Sequence, residues 1–231
     1  MKNVAAWIFD VDGTLADTER YGHLLSFNDA FNHLGLAWQW SPELYGELLS
    51  VTGGKERMAF YANRYDPSFM QRTDSEQLIR AIHEEKTRRY VDIVASAVIP
   101  LRPGVLEMLE AGRRAGVRLA IATTTTPENV EALLHAALPP GGERWFEVIG
   151  AGDVVAKKKP APDIYEWVLG QLDLEPEACL AIEDSENGLK ASLAAGLPTL
   201  VTVNDYTRGQ NFSGALRVVD SLARINPQDF C

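Results

Sequence analysis

The stretch Ile8-Phe9-Asp10-Val11-Asp12-Gly13-Thr14-Leu15-Ala16-Asp17-Thr18-Glu19 places two carboxylates two residues apart where an apolar run ends. Like charges held that close each raise the cost of ionising the other unless a cation lies between them. The 231-residue chain already carries a formal net charge of −10, so the crowded pair points to a bound positive charge. The run before it, Ala5 to Phe9, lacks polar alternation, the pattern of a strand buried on both faces of a parallel sheet.

Similar short apolar runs recur at Val117 to Ala122, Glu147 to Ala151, Ala178 to Ile182 and Thr199 to Val203. Between them lie helical patterns at Gly104 to Ala115, Glu128 to Ala137, Ile164 to Leu172, and Gly188 to Ala195, the last closed by Gly196 and Pro198. Strand and helix in alternation predict an α/β fold with a doubly wound parallel sheet. From Asp17 to Ile99 the rhythm breaks. Phe27, Phe31, Leu34 and Leu36 form one apolar stripe, and Leu78, Ile79, Ile82, Val91 and Val94 belong to another, so an all-helical insert is expected. The predicted organisation is a core of residues 1–16 and 100–231 carrying a helical cap of residues 17–99. Leu15 to Asp17 and the proline-rich Ile99 to Gly104 would form a two-strand hinge.

Hydrophobic residues make up 46% of the chain, enough for a buried core without staples. Cys179 and Cys231 are too few for a disulfide framework, and Cys179 reads as a buried filler. The acidic balance argues against nucleic acid or an anionic membrane as partner. The apolar run before Asp10 is far short of a signal segment or a membrane span. A cytoplasmic monomer acting on a small molecule is expected, or a protein of an organelle stroma if a transit peptide has been removed.

In a doubly wound sheet ligands bind beyond the carboxyl ends of the strands. Asp10 and Asp12 follow the first run, Thr123 the second, Lys159 the loop after the third, and Glu183 and Asp184 the fourth. Oxygen ligands of this kind suit Mg²⁺. Asp10 and Asp184 would ligate through carboxylates and Asp12 through its backbone carbonyl, leaving Asp10 free to attack phosphorus. Lys159 and Thr123 would hold equatorial oxygens of a phosphoryl group, and Asp12 would serve as acid and base. Gly13 and Thr14 would turn the chain and donate backbone N–H groups to the phosphoryl oxygens. Glu183 would take an outer or shared role at the metal. Thr126 before Pro127 reads as a helix N-cap, Asp163 as a helix start, Lys157 and Lys158 as solvated, and His23, His33 and His135 as structural.

The set D-x-D-G-T, a hydroxyl residue, K-P and E-D resembles the haloacid dehalogenase superfamily over essentially the whole chain. The resemblance implies a nucleophile at Asp10 and an acid/base at Asp12, and Asp12 favours phosphate chemistry over dehalogenation. Further segments, Tyr45 to Leu49, Thr52-Gly53-Gly54-Lys55-Glu56-Arg57-Met58, Ala122 to Thr125, Ala151 to Pro160 and Tyr206-Thr207, resemble the CbbY subfamily. That likeness implies a phosphatase acting on xylulose 1,5-bisphosphate. Chemically, Gly53 and Gly54 opening a helix before Lys55 and Arg57 would cradle a second phosphate on the cap. His83 and Lys86 match the subfamily's other cap contact, Glu19 would accept hydrogen bonds from sugar hydroxyls, and Glu56, Thr124 and Thr125 join the expected substrate site. The alternatives are a phosphomutase of the β-phosphoglucomutase type, weakened because no lysine follows Thr123 to Thr126, a general sugar-phosphate or phosphoglycolate phosphatase, and a non-catalytic sugar phosphate binder.

Overall fold

A computed structural model describes residues 4–96 and 99–230, so Cys231 and residues 97–98 near the end of the expected cap lie outside the described residues. Six strands form one sheet: β1 (Ala6–Phe9), β2 (Arg118–Ala122), β3 (Phe146–Gly150), β4 (Cys179–Glu183), β5 (Thr199–Thr202) and β6 (Arg217–Val219). Their order is β3-β2-β1-β4-β5-β6, and every pairing is parallel. The chain therefore winds outward from β1 in one direction and resumes at β4 in the other. The switch point lies between β1 and β4, where such sheets open a crevice.

Strands β1, β4 and β5 are buried throughout and β2 nearly so, whereas the edge strands β3, with Glu147 and Ile149 exposed, and β6 are not; the two faces of the sheet also differ in bulk. Trp7, Phe9, Leu119, Ile121, Leu180 and Ile182 pack against α6 (Val105–Arg114) and α7 (Pro127–Ala137). Ala6, Ile8, Ala120, Ala122, Ala181 and the free thiol of Cys179 lie under α8 (Asp163–Leu172). Small residues on that second face let α8 approach closely. The sixth strand escapes the sequence pattern because its residues are largely exposed at the sheet edge.

The expected insert is helical: a π-helical turn (Glu19–His23), then α1 (Leu24–His33), α2 (Pro42–Leu48), α3 (Gly54–Tyr65), α4 (Pro67–Met70) and α5 (Ser75–Ser96). It has its own apolar cluster around Phe27, Phe31, Trp38, Trp40, Tyr45 and Met58. Leu34, placed in the stripe by the sequence, is 43% exposed, because α1 has ended at His33 and position 34 turns away. The two connections to the core pair with each other. Ala16 bridges Leu101 in antiparallel fashion, and the Arg102 N–H donates to Leu15 O at 2.8 Å.

Arg102 pins this junction from inside. Its guanidinium is buried and donates to the backbone carbonyls of Gly13, Thr202 (3.0 Å) and Val203 (2.6 Å), with Asp17 at 3.3 Å from Nε. One side chain thus joins the second connection, the turn after β1 and the end of β5. Arg102→Met would leave buried carbonyls without a donor, so unfolding free energy should drop by about 3 kcal/mol in urea denaturation. A loss below about 0.5 kcal/mol would show that the carbonyls find other partners.

Candidate active site

The residues after the strands converge at the switch point. Asp10 follows β1, Thr123 follows β2, Lys159 comes from the loop after β3, and Glu183 ends β4 with Asp184 next. Gly13 has φ +80°, and a Cβ there would fall 2.3 Å from Asp184 Oδ2, so the turn after Asp12 requires glycine on both conformational and steric grounds. The N–H groups of Gly13 and Thr14 close that turn onto Ala16 O (2.8 Å) and Val11 O (3.2 Å). They are spent inside the loop instead of facing a phosphoryl group.

Lys159 is buried, and its three donors reach Asp10 Oδ1 (2.7 Å), Glu183 Oε1 (2.6 Å) and Ala122 O (2.8 Å). Burial alone would lower its pKa, but the charges of Asp10 and Glu183 outweigh that and hold it protonated. Glu183 Oε1 also accepts the Tyr165 hydroxyl at 2.5 Å. Glu183 is thereby committed to its neighbours, while Asp10 Oδ2 carries no hydrogen bond among the described residues.

Asp10, Glu183 and Asp184 bring carboxylate oxygens within 4.8 Å of one another, all buried. Burial raises the Asp10 carboxyl to about 7, against Lys159 and with help from Glu183 and Asp12. Burial also raises Asp184 well above the carboxylate range, reinforced by Asp10, Glu183 and Glu19. Asn204 opposes this by donating to Asp184 Oδ2 at 2.6 Å. Crowded buried carboxyls that resist ionising are a fitting donor set for a hard divalent cation.

Asp12 lies in a different field. Burial would raise it, yet His23, Thr18 and Lys86 hold it at about 2. Its Oδ1 accepts from the Thr18 hydroxyl at 2.6 Å and lies 2.8 Å from His23 Nε2. His23 Nδ1 sits 2.6 Å from Lys86 Nζ, which brings a donor, so the ring proton belongs on Nε2 and points at Asp12. His23 stacks on Tyr90 with centroids 4.4 Å apart, and Lys86 lies over the Phe27 and Tyr90 rings. Burial lowers Lys86 to about 7, even with Asp12 and Glu19 opposing.

Two chambers open onto these groups. One, of about 400 Å³, contains Asp10, Thr123, Lys159 and Asp184; the other, of about 460 Å³, contains Gly53, Gly54, Lys55, Glu56, His83, Lys86 and Thr125. Asp12, Glu19, Arg57 and Thr124 border both. In the second chamber Gly53 caps α3 at φ +96°, and Arg57 is buried, with Nη1 on the Tyr45 hydroxyl and Nε on Val51 O. His83 is pushed down to about 3, by burial first and then by Lys86 and Lys55, so its ring is neutral. Glu56 is exposed and folds its carboxylate over Gly53, at the helix start where an anion was expected.

Bonds on either side hold the helices over the sheet edge. Lys55 donates to Asp153 Oδ2 at 2.6 Å, and Asn187 Nδ2 reaches Ser50 O and Thr52 Oγ1, both at 3.1 Å. Lys158 is tied to Asp153 Oδ1 at 2.7 Å and to Gly152 O, so it is not the solvated cation the sequence suggests. Thr126 accepts from the Asn129 N–H and caps α7 as expected, and Thr125 Oγ1 accepts from Asn129 Nδ2.

A family model described as haloacid dehalogenase-like hydrolase matches residues 4–196. The chain belongs to that family. It is also 47% identical to protein CbbY of Cereibacter sphaeroides over 96% of this chain and 94% of that one. A crystal structure of a CbbY variant from Rhodobacter sphaeroides in complex with xylulose 1,5-bisphosphate superposes with a TM-score of 0.88 at 47% identity, covering 96% of both chains. A phosphorylated carbohydrates phosphatase of Thermotoga maritima is 31% identical over 97% of this chain and 95% of its own length. Within the haloacid dehalogenase-like hydrolases this chain falls in the CbbY branch, and it is a phosphatase.

Sequence reasoning missed several groups of this hydrolase. His23, read as structural, touches Asp12; Asn204 touches Asp184; Tyr165 touches Glu183. His23 and Tyr165 follow no motif and only packing brings each to its carboxylate, while Asn204 stands directly past the Thr199 to Val203 run, a strand-end position that would have pointed to it. His23→Phe keeps a ring against Tyr90 but removes the Asp12 partner, so phosphatase turnover should fall at least about tenfold. Turnover within twofold of the parent would rule out the link from Lys86 through His23 to Asp12.

Proposed function

We propose that the chain is a Mg²⁺-dependent sugar bisphosphate phosphatase whose substrate is xylulose 1,5-bisphosphate. The observation that carries this reading is the pair of chambers meeting at Asp12, Glu19, Arg57 and Thr124. One holds the acidic cluster, and the other holds Lys55, Arg57, Lys86 and a helix N-terminus, a cationic setting for a second phosphate. The CbbY structure holding that bisphosphate lends further support. Residues 17–99 act as the cap and residues 1–16 with 100–231 as the catalytic core. The same reading takes the working unit to be a monomer.

Asp10 and Asp184, through carboxylates, and Asp12, through its backbone carbonyl, would hold Mg²⁺. When bound there, the ion would offset the charge of the crowded carboxylates and of the phosphoryl group. Asp10 Oδ2 attacks phosphorus, a new O–P bond forms, and the ester O–P bond breaks. Asp12 gives its proton to the departing sugar oxygen. Water then attacks the aspartyl-phosphate, Asp12 takes the water's proton, and phosphate leaves with Asp10 restored. His23, Thr18 and Lys86 hold the Asp12 carboxyl low, at about 2, so in this reading it gains its proton as the negatively charged ester enters, beside the hydrogen-bonded His23 and Lys86. Lys159 turns a donor from Asp10 to an equatorial oxygen as Asp10 gives up its charge, and Thr123 holds another. Glu19 accepts from the sugar hydroxyls at the waist, Thr124 and Thr125 line the passage, and Gly53, Gly54, Lys55, Arg57, His83 and Lys86 receive the distal phosphate.

Phosphate release from xylulose 1,5-bisphosphate with Mg²⁺ is the direct assay. EDTA should abolish release and added Mg²⁺ restore it; full activity in EDTA sinks the metal assignment. Asp10→Asn should lower turnover by at least about a thousandfold, since it removes the nucleophile. Turnover near that of the parent would exclude Asp10 from that role. Isomer interconversion without net phosphate release would mark a mutase instead.

A further inference from the structure

Glu19 and Arg57 carry opposite charges and border both chambers, yet they do not pair with each other. Tyr45 of α2 stands between them. Its hydroxyl donates to Glu19 Oε2 at 2.5 Å and accepts from Arg57 Nη1 at 2.9 Å. The Arg57 guanidinium carbon also lies 5.1 Å from the centroid of the same ring. Tyr45 is fully buried and lines neither chamber, so it acts on a ligand only through these two partners.

A phenol offers one donor and two acceptor positions, which suits it to hold a carboxylate and a guanidinium at once. Burial keeps the Tyr45 hydroxyl protonated, its pKa well above the ordinary phenol value, with Glu19 adding to that and Arg57 opposing it. The ring is fixed by Phe27 and Trp40, with centroids at 6.2 and 6.0 Å. From the core side Tyr206 packs edge-on at 6.2 Å.

We propose that Tyr45 is a positioning residue for substrate recognition, its hydroxyl keeping Glu19 and Arg57 apart and aimed into the waist between the chambers. This rests on the bisphosphate reading above. Both charged groups lie within 2.9 Å of the same oxygen. Without the hydroxyl they can close into a direct, charge-assisted pair in a poorly solvated setting. Glu19 would then be lost to the sugar hydroxyls and Arg57 to the distal phosphate. Binding would weaken, while the groups around Asp10 stay in place.

Tyr45→Phe tests this because it keeps the ring and its packing and removes only the hydroxyl. A crystal structure of the variant should show Glu19 and Arg57 in direct contact. Its KM for xylulose 1,5-bisphosphate should rise at least about tenfold with kcat within about twofold of the parent. Glu19 and Arg57 remaining apart would overturn the proposal, as would an unchanged KM or a loss confined to kcat. The two readings fail separately: a parent enzyme that releases no phosphate from the bisphosphate refutes the substrate, while the crystal structure still decides whether Tyr45 is the spacer.

Discussion

The site depends on one buried ammonium group. Lys159 lies between Asp10 and Glu183 and offsets the negative charge gathered at the switch point of the sheet. Three buried carboxylates this close would be prohibitive to ionise without such a partner. Each acceptor of Lys159 comes from a different strand end: β1, β2 and β4. The sheet order is therefore a condition of the chemistry, because only β2, β1 and β4 side by side bring these acceptors within reach of one amine.

The two acids of the opening motif are separated by their surroundings, not by their spacing. Asp10 lies among carboxylates and is pushed up; Asp12, two residues on, turns toward His23, Thr18 and Lys86 and is held low. Two identical side chains thereby acquire different proton affinities, the usual way one site comes to hold both a nucleophile and a proton carrier. The helical insert supplies that difference, since His23 and Lys86 belong to it. The helical insert and the sheet edge are thus joined by the hydrogen bond at Asp12, besides the outer bonds at Asp153 and Asn187.

Much of the fold was legible in the sequence because parallel strands buried on both faces leave unbroken apolar runs. Four of the six strands, β1, β2, β4 and β5, are buried in that way; the edge strands β3, which carries exposed Glu147 and Ile149, and β6 are not, because at an edge less of the strand must be covered, and β6 left no run to read. Residues just past those runs could be picked out because strand ends in this topology face the crevice. The same logic misjudged the Gly13 and Thr14 N–H groups, which the tightness of the turn consumes, and Lys158, which finds Asp153 across a short loop. Asn204, directly past the Thr199 to Val203 run, was open to the same logic, whereas His23, Tyr165 and Arg102 carried no local signal, since their partners lie 11, 18 and 89 positions away along the chain.

The sequence by itself determined the parallel α/β core, the helical insert after β1, and the acidic, lysine and hydroxyl residues at the strand ends. Periodicity and motif spacing record those features residue by residue. Only the tertiary structure decided which acid is held low and which is raised, where the donors of Lys159 point, and that a tyrosine stands between Glu19 and Arg57. Those outcomes depend on distances between segments remote in the chain and on the solvent that packing removes, and neither is written in local pattern.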